Sequence, residues 1–172
     1  MAGRLTTAAA LLATLPFLSP LAASARDFTP APQVGAAAIS PVAAPYAPAE
    51  DGPTAVKAAF ARAKASGKSV LIDFGGNWCP DCRMLAGVFA IPEVNTWLGQ
   101  NFETVSVNVN RFNANMDIAQ GYGVTIKSVP TVLIVTPDGK LLDPDGATAL
   151  GNARRMSAQA VVDLIAQWAA RT

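Results

Sequence analysis

The sequence predicts an α/β domain with a mixed central sheet flanked by helices on both faces, and three observations carry that prediction. Helix-period and strand-period segments alternate through residues 54–135. The apolar run at residues 69–74 is continuous until Asp73, the pattern of a strand covered on both sides. Beyond residue 130 the rhythm changes. A strand at 131–135, the turn Pro137-Asp138-Gly139 and a return strand at 140–142 read as a hairpin, which adds an antiparallel pairing to the sheet.

The chain has 172 residues, 51% of them apolar and 15% charged, too apolar for a disordered protein. Thirteen Lys and Arg face twelve Asp and Glu, so charge gives no reason to propose nucleic acid or anionic lipid as a partner. There is no histidine. That removes Ser-His-Asp triads, Cys-His nucleophiles and His-ligated metal sites.

Residues 1–25 have the layout of a secretory signal. Arg4 gives a positive start, residues 8–21 an apolar segment, and Ala23-Ser24-Ala25 a small-x-small cleavage site. Cleavage there places the mature protein in the periplasm or outside the cell, where disulfide chemistry is expected; an uncleaved membrane anchor is the alternative. In residues 26–50, five Pro and eight Ala resist both helix and sheet, and the stretch reads as an extended linker without chemistry of its own. The folded domain is expected over 51–172.

Within it, Val56, Ala59, Phe60 and Ala63 give a first helix one apolar face, and Gly67 closes it. The strand at 69–74 follows. Met84, Leu85, Val88 and Phe89 set the face of the next helix, which Pro92 kinks or restarts before Val94, Trp97 and Leu98. Val105, Val107 and Val109 alternate as a second strand. A short helix fits 114–120, and a last one at 157–170 presents Val161, Leu164, Ile165 and Trp168. Trp97 and Trp168 are expected in the core, and Arg154 and Arg155 in solvent.

The only two cysteines, Cys79 and Cys82, sit between the first strand and the second helix. Pro80 suits the first helical position because its missing N–H would be unpaired there anyway. Cys79 then falls at the N-cap, where the helix dipole favours an anion by about 0.3–1 kcal/mol. Cys82 follows three residues later on the same face, within disulfide reach. Cys79 is thus the exposed attacking thiolate and Cys82 the inner thiol that resolves a mixed disulfide. A purely structural disulfide would close a very small loop and constrain the unfolded chain little. A metal site needs about four ligands, which two cysteines without histidine do not supply in one chain. No cofactor beyond the Cys79–Cys82 pair is expected.

The order of elements, with Trp78-Cys79-Pro80-Asp81-Cys82 after the first strand and Val129-Pro130-Thr131 before the third, resembles the thioredoxin family over residues 54–170. Asp73, six residues before Cys79, is a further match. The resemblance implies the thioredoxin fold and a role for Asp73 in proton transfer at Cys82. Burial would raise the pKa of Asp73; a solvated position at the strand end is the alternative. Pro130 is implied to be a cis-proline facing the sulfurs, leaving the Val129 backbone to pair with an extended substrate segment. Trp78, Pro80 and Asp81 join Val129 and Pro130 as the implied substrate-contacting residues. One departure stands out: where thioredoxins often carry a lysine near the aspartate, counting along the second strand gives Ser106.

The function read from these residues is thiol–disulfide exchange, with protein disulfides or thiols as substrates. The carboxylate of Asp81 disfavours a second negative charge on Cys79, which makes the couple more reducing. A disulfide reductase acting as a monomer is therefore expected, recycled by a membrane electron donor if periplasmic. A disulfide oxidase or isomerase, and a non-enzymatic chaperone on the same fold, are the alternatives.

Overall fold

Val70, Leu71, Ile72 and Phe74 give β1 (Ser69–Gly75) apolar side chains on both faces, and the strand takes the middle of the sheet. The computed structural model describes residues 28–146 and 148–171. The signal-like segment 1–25 lies outside them. On one edge of β1 runs β2 (Phe102–Asn108), parallel, with Asp73 opposite Ser106 as the count along the sequence expects. On the other edge runs β3 (Thr131–Val135), antiparallel, with Asp73 opposite Val132. The sheet is mixed, in the order β2-β1-β3.

Among the described residues, five α-helices surround it: α1 (Gly52–Ser66), α2 (Pro80–Phe89), α3 (Pro92–Asn101), α4 (Met116–Gln120) and α5 (Ala158–Ala169). Gly67 ends α1 in the left-handed conformation, φ 73°. Pro92 starts a separate helix, since proline cannot donate the N–H that continuing α2 would need. The core falls into two layers. Val70, Ile72, Phe74, Val105, Val107 and Leu133 pack against Ala59 and Ala63 of α1, in the layer that also holds both cysteines. Leu71, Val132 and Ile134 pack against apolar side chains of α2, α3 and α5 in the other. Trp97 and Trp168 are buried there.

Two expectations need correction. The return strand at 140–142 shrinks to a single bridge between Val135 and Leu141. Leu142 N–H still donates to Ile134 O at 2.9 Å, but the Ile134 N–H goes to the Asp143 carboxylate at 2.8 Å instead of a strand carbonyl. The next residue is Pro144, with no N–H to continue a ladder.

The stretch read as a free linker is a docked strap. Residues 28–48 contain no helix or strand, as their composition requires, yet they lie against the domain and are tied down by side chains. Thr29 N–H donates to Asn101 Oδ1 (2.7 Å), and Thr29 O accepts from the Trp97 indole (2.9 Å). Gln159 Oε1 accepts from Val34 N–H (2.7 Å) and Gly35 N–H (3.1 Å). Val42 N–H donates to Arg83 O, and Val42 O accepts from the Arg83 guanidinium. Gly87, in the middle of α2, makes room for this crossing: a Cβ there would run into the carbonyl of Ser40. Backbone groups that cannot pair in a sheet find partners here in Asn, Gln and Arg.

Candidate active site

Cys79 is the N-cap of α2 and Pro80 its first residue, so the chain enters the helix with the Cys79 sulfur over the free N–H groups of the first turn. Cys79 Sγ accepts from Cys82 N–H at 3.2 Å. It also lies 3.5 Å from Val129 O, to which the thiol donates. The Val129–Pro130 peptide bond is cis. Cys82 is completely buried, and Cys79 keeps 4% of its surface. The attacking sulfur is therefore recessed rather than openly exposed, because the Val129–Pro130 loop packs across it. Of the two cysteines, Cys79 is the more exposed. Burial pushes the Cys82 thiol well above its ordinary pKa, and the neighbouring Cys79 and Asp73 add to the effect, so Cys82 holds its proton until a base removes it.

A carboxylate lies close to Cys82. Asp73 is buried at 1% exposure in an otherwise apolar strand, which excludes the solvated alternative. Burial raises its pKa to about 7, while a hydrogen bond from Tyr46 opposes the rise. Tyr46 comes from the strap. Its hydroxyl donates to Asp73 Oδ2 at 2.7 Å, and Asp73 Oδ1 has no partner among the described residues. Gly75 is where these groups converge: a Cβ there would strike the Tyr46 ring and hydroxyl and come within 2.9 Å of Cys82 Sγ. Asp73 also borders a cleft of about 370 Å³, lined by Val42 and Pro45 of the strap and by Thr104 and Ser106 of β2. Among the described residues, no group of three or more His, Cys, Asp or Glu is placed to hold a metal.

Comparison with known proteins places this fold in a family. A Thioredoxin-like family profile matches residues 52–137. The chain belongs to the thioredoxin-like family. Thioredoxin of Bacillus subtilis is 33% identical over 81 residues, a match covering 47% of this chain and 70% of that protein. Thioredoxin 1 of Synechococcus elongatus is 36% identical over 74 residues, covering 43% and 62%. Probable nucleoredoxin 3 of rice is 29% identical over 101 residues, a match covering 47% of this chain and only 21% of that protein. Among solved structures, a disulphide isomerase from Xylella fastidiosa superposes with a TM-score of 0.67 at 36% identity, covering 72% of this chain and 95% of that one. The α/β architecture described above is accordingly the thioredoxin fold.

Within that fold, the structure brings Cys79, Cys82, Asp73, Pro80, Val129 and Pro130 together and gives Asp81 and Trp78 partners of their own. Asp81 does not stand alone beside Cys79. Its carboxylate accepts from Arg154 N–H and from the Arg154 guanidinium, each at 3.0 Å, so Arg154, exposed to solvent as expected, is also an ion-pair partner. Trp78 is 40% exposed and donates its indole N–H to Asn110 O at 2.5 Å. Its ring packs edge-on against Phe112, also 40% exposed, and the Arg111 guanidinium lies 5.2 Å from its centroid. Sequence reasoning missed four residues of this neighbourhood: Tyr46, Arg111, Phe112 and Arg154. Only Phe112 carried a local signal, as an aromatic among the asparagines of a loop after a strand.

Proposed function

We propose that the protein is a thiol–disulfide oxidoreductase that reduces protein disulfides, Cys79 attacking and Cys82 resolving. The observation that carries this reading is the graded burial of the pair, with the Cys79 sulfur held by an N–H of the helix N-terminus and Cys82 held protonated beside Asp73. The exposed Trp78–Phe112 surface supports an apolar substrate segment next to Cys79. Reduction rather than oxidation is supported by what surrounds Cys79: one N–H bond and a neighbouring carboxylate, with no histidine in the chain. The Arg154 pairing weakens the carboxylate's part in that argument, since Asp81 is partly neutralised.

A redox titration of the Cys79–Cys82 couple against glutathione tests the direction. A potential of about −230 mV or lower is the expected result, and one near about −120 mV would make the protein an oxidant. The second reading is an isomerase, favoured by the Xylella disulphide isomerase among the structural relatives; refolding of a scrambled disulfide protein separates it from simple reduction. The setting we propose is the periplasm or the extracellular space, supported by the layout of residues 1–25 alone. A membrane electron donor would re-reduce the pair there, and the protein would act as a monomer.

A further inference from the structure

The strap reaches the reacting groups at one residue. Tyr46 is 4% exposed and comes from a segment without regular structure, and its hydroxyl holds one oxygen of Asp73 at 2.7 Å. Its position is fixed from the cysteine motif itself: Asn77 Oδ1 accepts from Tyr46 N–H and Asn77 Nδ2 donates to Tyr46 O, both at 3.0 Å. Asn77 thus clamps the backbone whose side chain touches Asp73. On the far side the strap closes the site further, since Val42 and Pro45 form one wall of the cleft that Asp73 borders.

We propose that Tyr46 is a positioning residue for proton transfer, its hydroxyl fixing Oδ2 of Asp73 so that the same carboxylate takes the Cys82 proton and passes it to the strap-walled cleft. The proposal rests on dithiol exchange at Cys79 and Cys82. When Cys79 has attacked a substrate disulfide, a Cys79–substrate disulfide exists and one substrate sulfur has left as a thiolate. The Cys82 proton moves to the Asp73 carboxylate, and the Cys82 thiolate attacks Cys79 Sγ. The Cys79–Cys82 bond forms as the Cys79–substrate bond breaks, and the second substrate sulfur leaves as a thiolate that takes a proton from water. Two electrons pass from the protein's dithiol to the substrate, and the proton on Asp73 goes out to solvent. The cleft of about 370 Å³ is mostly apolar, but Thr104, Ser106 and Asn95 give it polar partners, and it is roomy enough for several waters.

Tyr46 suits the task because it stays a donor. Burial, together with the nearby Asp73 and Cys82, pushes its hydroxyl pKa far up, so it does not ionise as the site cycles. Among the described residues, the titratable groups facing Asp73 are Tyr46 from the strap and Cys82, with Cys79 behind it, from α2. The neighbouring strands present Ser106 and Val132 at its register positions.

The test is the pH profile of insulin reduction by the full chain with dithiothreitol as the electron source, for wild type, Tyr46→Phe, Asn77→Ala and Asp73→Asn. Asp73 must be ionised to accept the proton, so the wild-type rate should fall as pH drops through about 7. A hydrogen bond to a charged group shifts its pKa by about one to two units, so Tyr46→Phe should move this limb upward by that much. It should cost about five- to fiftyfold at pH 7 and keep the alkaline plateau. Asn77→Ala should move the limb in the same direction. Asp73→Asn should lack it, and Tyr46→Phe should then add nothing. A limb that stays put in Tyr46→Phe, or a rate lowered equally at every pH, overturns the proposal. If Tyr46→Phe does not fold, the Asn77→Ala limb decides by the same criterion. An inactive wild type is a separate outcome: it sinks the exchange reading, and this proposal with it.

Discussion

The Cys79–Cys82 turn and the strap over residues 28–48 meet at Asp73, and they are held by opposite means. The turn is local. Pro80 at the first helical position and the Cys82 N–H to Cys79 Sγ bond lie within four residues. The strap has no helix or strand and is held by side chains far away in sequence, Asn101 at 72 residues and Gln159 at 125. The difference teaches that the reaction's sulfur chemistry is written in one short stretch, whereas the environment of its proton acceptor is delivered from elsewhere. The strap itself divides in two. Its distal half, at Thr29 and Val34, is tied to α3 and α5 away from the cysteines, and its proximal half, at Val42 to Tyr46, touches the site.

The comparison can be broken or sharpened at three places. The largest effect is expected at Asp73. Its folded pKa of about 7 lies above the ordinary 3.8, so the folded protein binds the proton more tightly than the unfolded chain. Stability should therefore be highest below about pH 4 and fall as pH rises toward 7, by on the order of 4 kcal/mol in all from this group. Urea unfolding at several pH values measures it, and Asp73→Asn should remove this share of the slope, leaving that of Asp143, whose pKa burial raises to about 6. A wild-type curve as flat as that of the variant would mean Asp73 is not buried as described.

A smaller effect is expected in the distal strap. Asn101→Ala removes the acceptor of Thr29 N–H and the donor to Trp97 O, and should cost about 1–3 kcal/mol in the same unfolding assay. The pH–rate limb should not move, because the Asn77 clamp on Tyr46 remains. A limb that moved with Asn101 would erase the division of the strap into two halves. The smallest effect is expected at Arg154. The Asp81–Arg154 pair is partly exposed, and such pairs contribute about 0–1 kcal/mol. Arg154→Ala should make the couple more reducing by no more than about 20 mV in a glutathione titration.

What was legible in the sequence follows the same division. The middle strand was readable because its apolar run must be covered on both faces, and the α2 N-terminus because Pro80 and the spacing of the cysteines act within one turn. The register that sets Ser106 opposite Asp73 followed from counting. The strap was not readable: a Pro- and Ala-rich stretch carries no periodicity, and its partners are scattered asparagines, glutamine and arginine whose pairing appears only after folding. The pairing of Arg154 with Asp81 was hidden for the same reason, the two lying 73 residues apart. The return strand failed because Asp143 presents a carboxylate to the Ile134 N–H in place of a backbone carbonyl. Around Trp78, Asn110 and Phe112 have positive φ angles (48° and 64°), which non-glycine side chains seldom adopt and which no local pattern announced.

The central claim is that Cys79 attacks and Cys82 resolves, and trapping tests it most directly. Cys82→Ser should lose turnover in insulin reduction and accumulate a mixed disulfide joining Cys79 to substrate, visible as a dithiothreitol-sensitive mass increase, while Cys79→Ser forms none. Equal trapping by the two variants, or turnover that survives loss of either cysteine, would contradict the assignment.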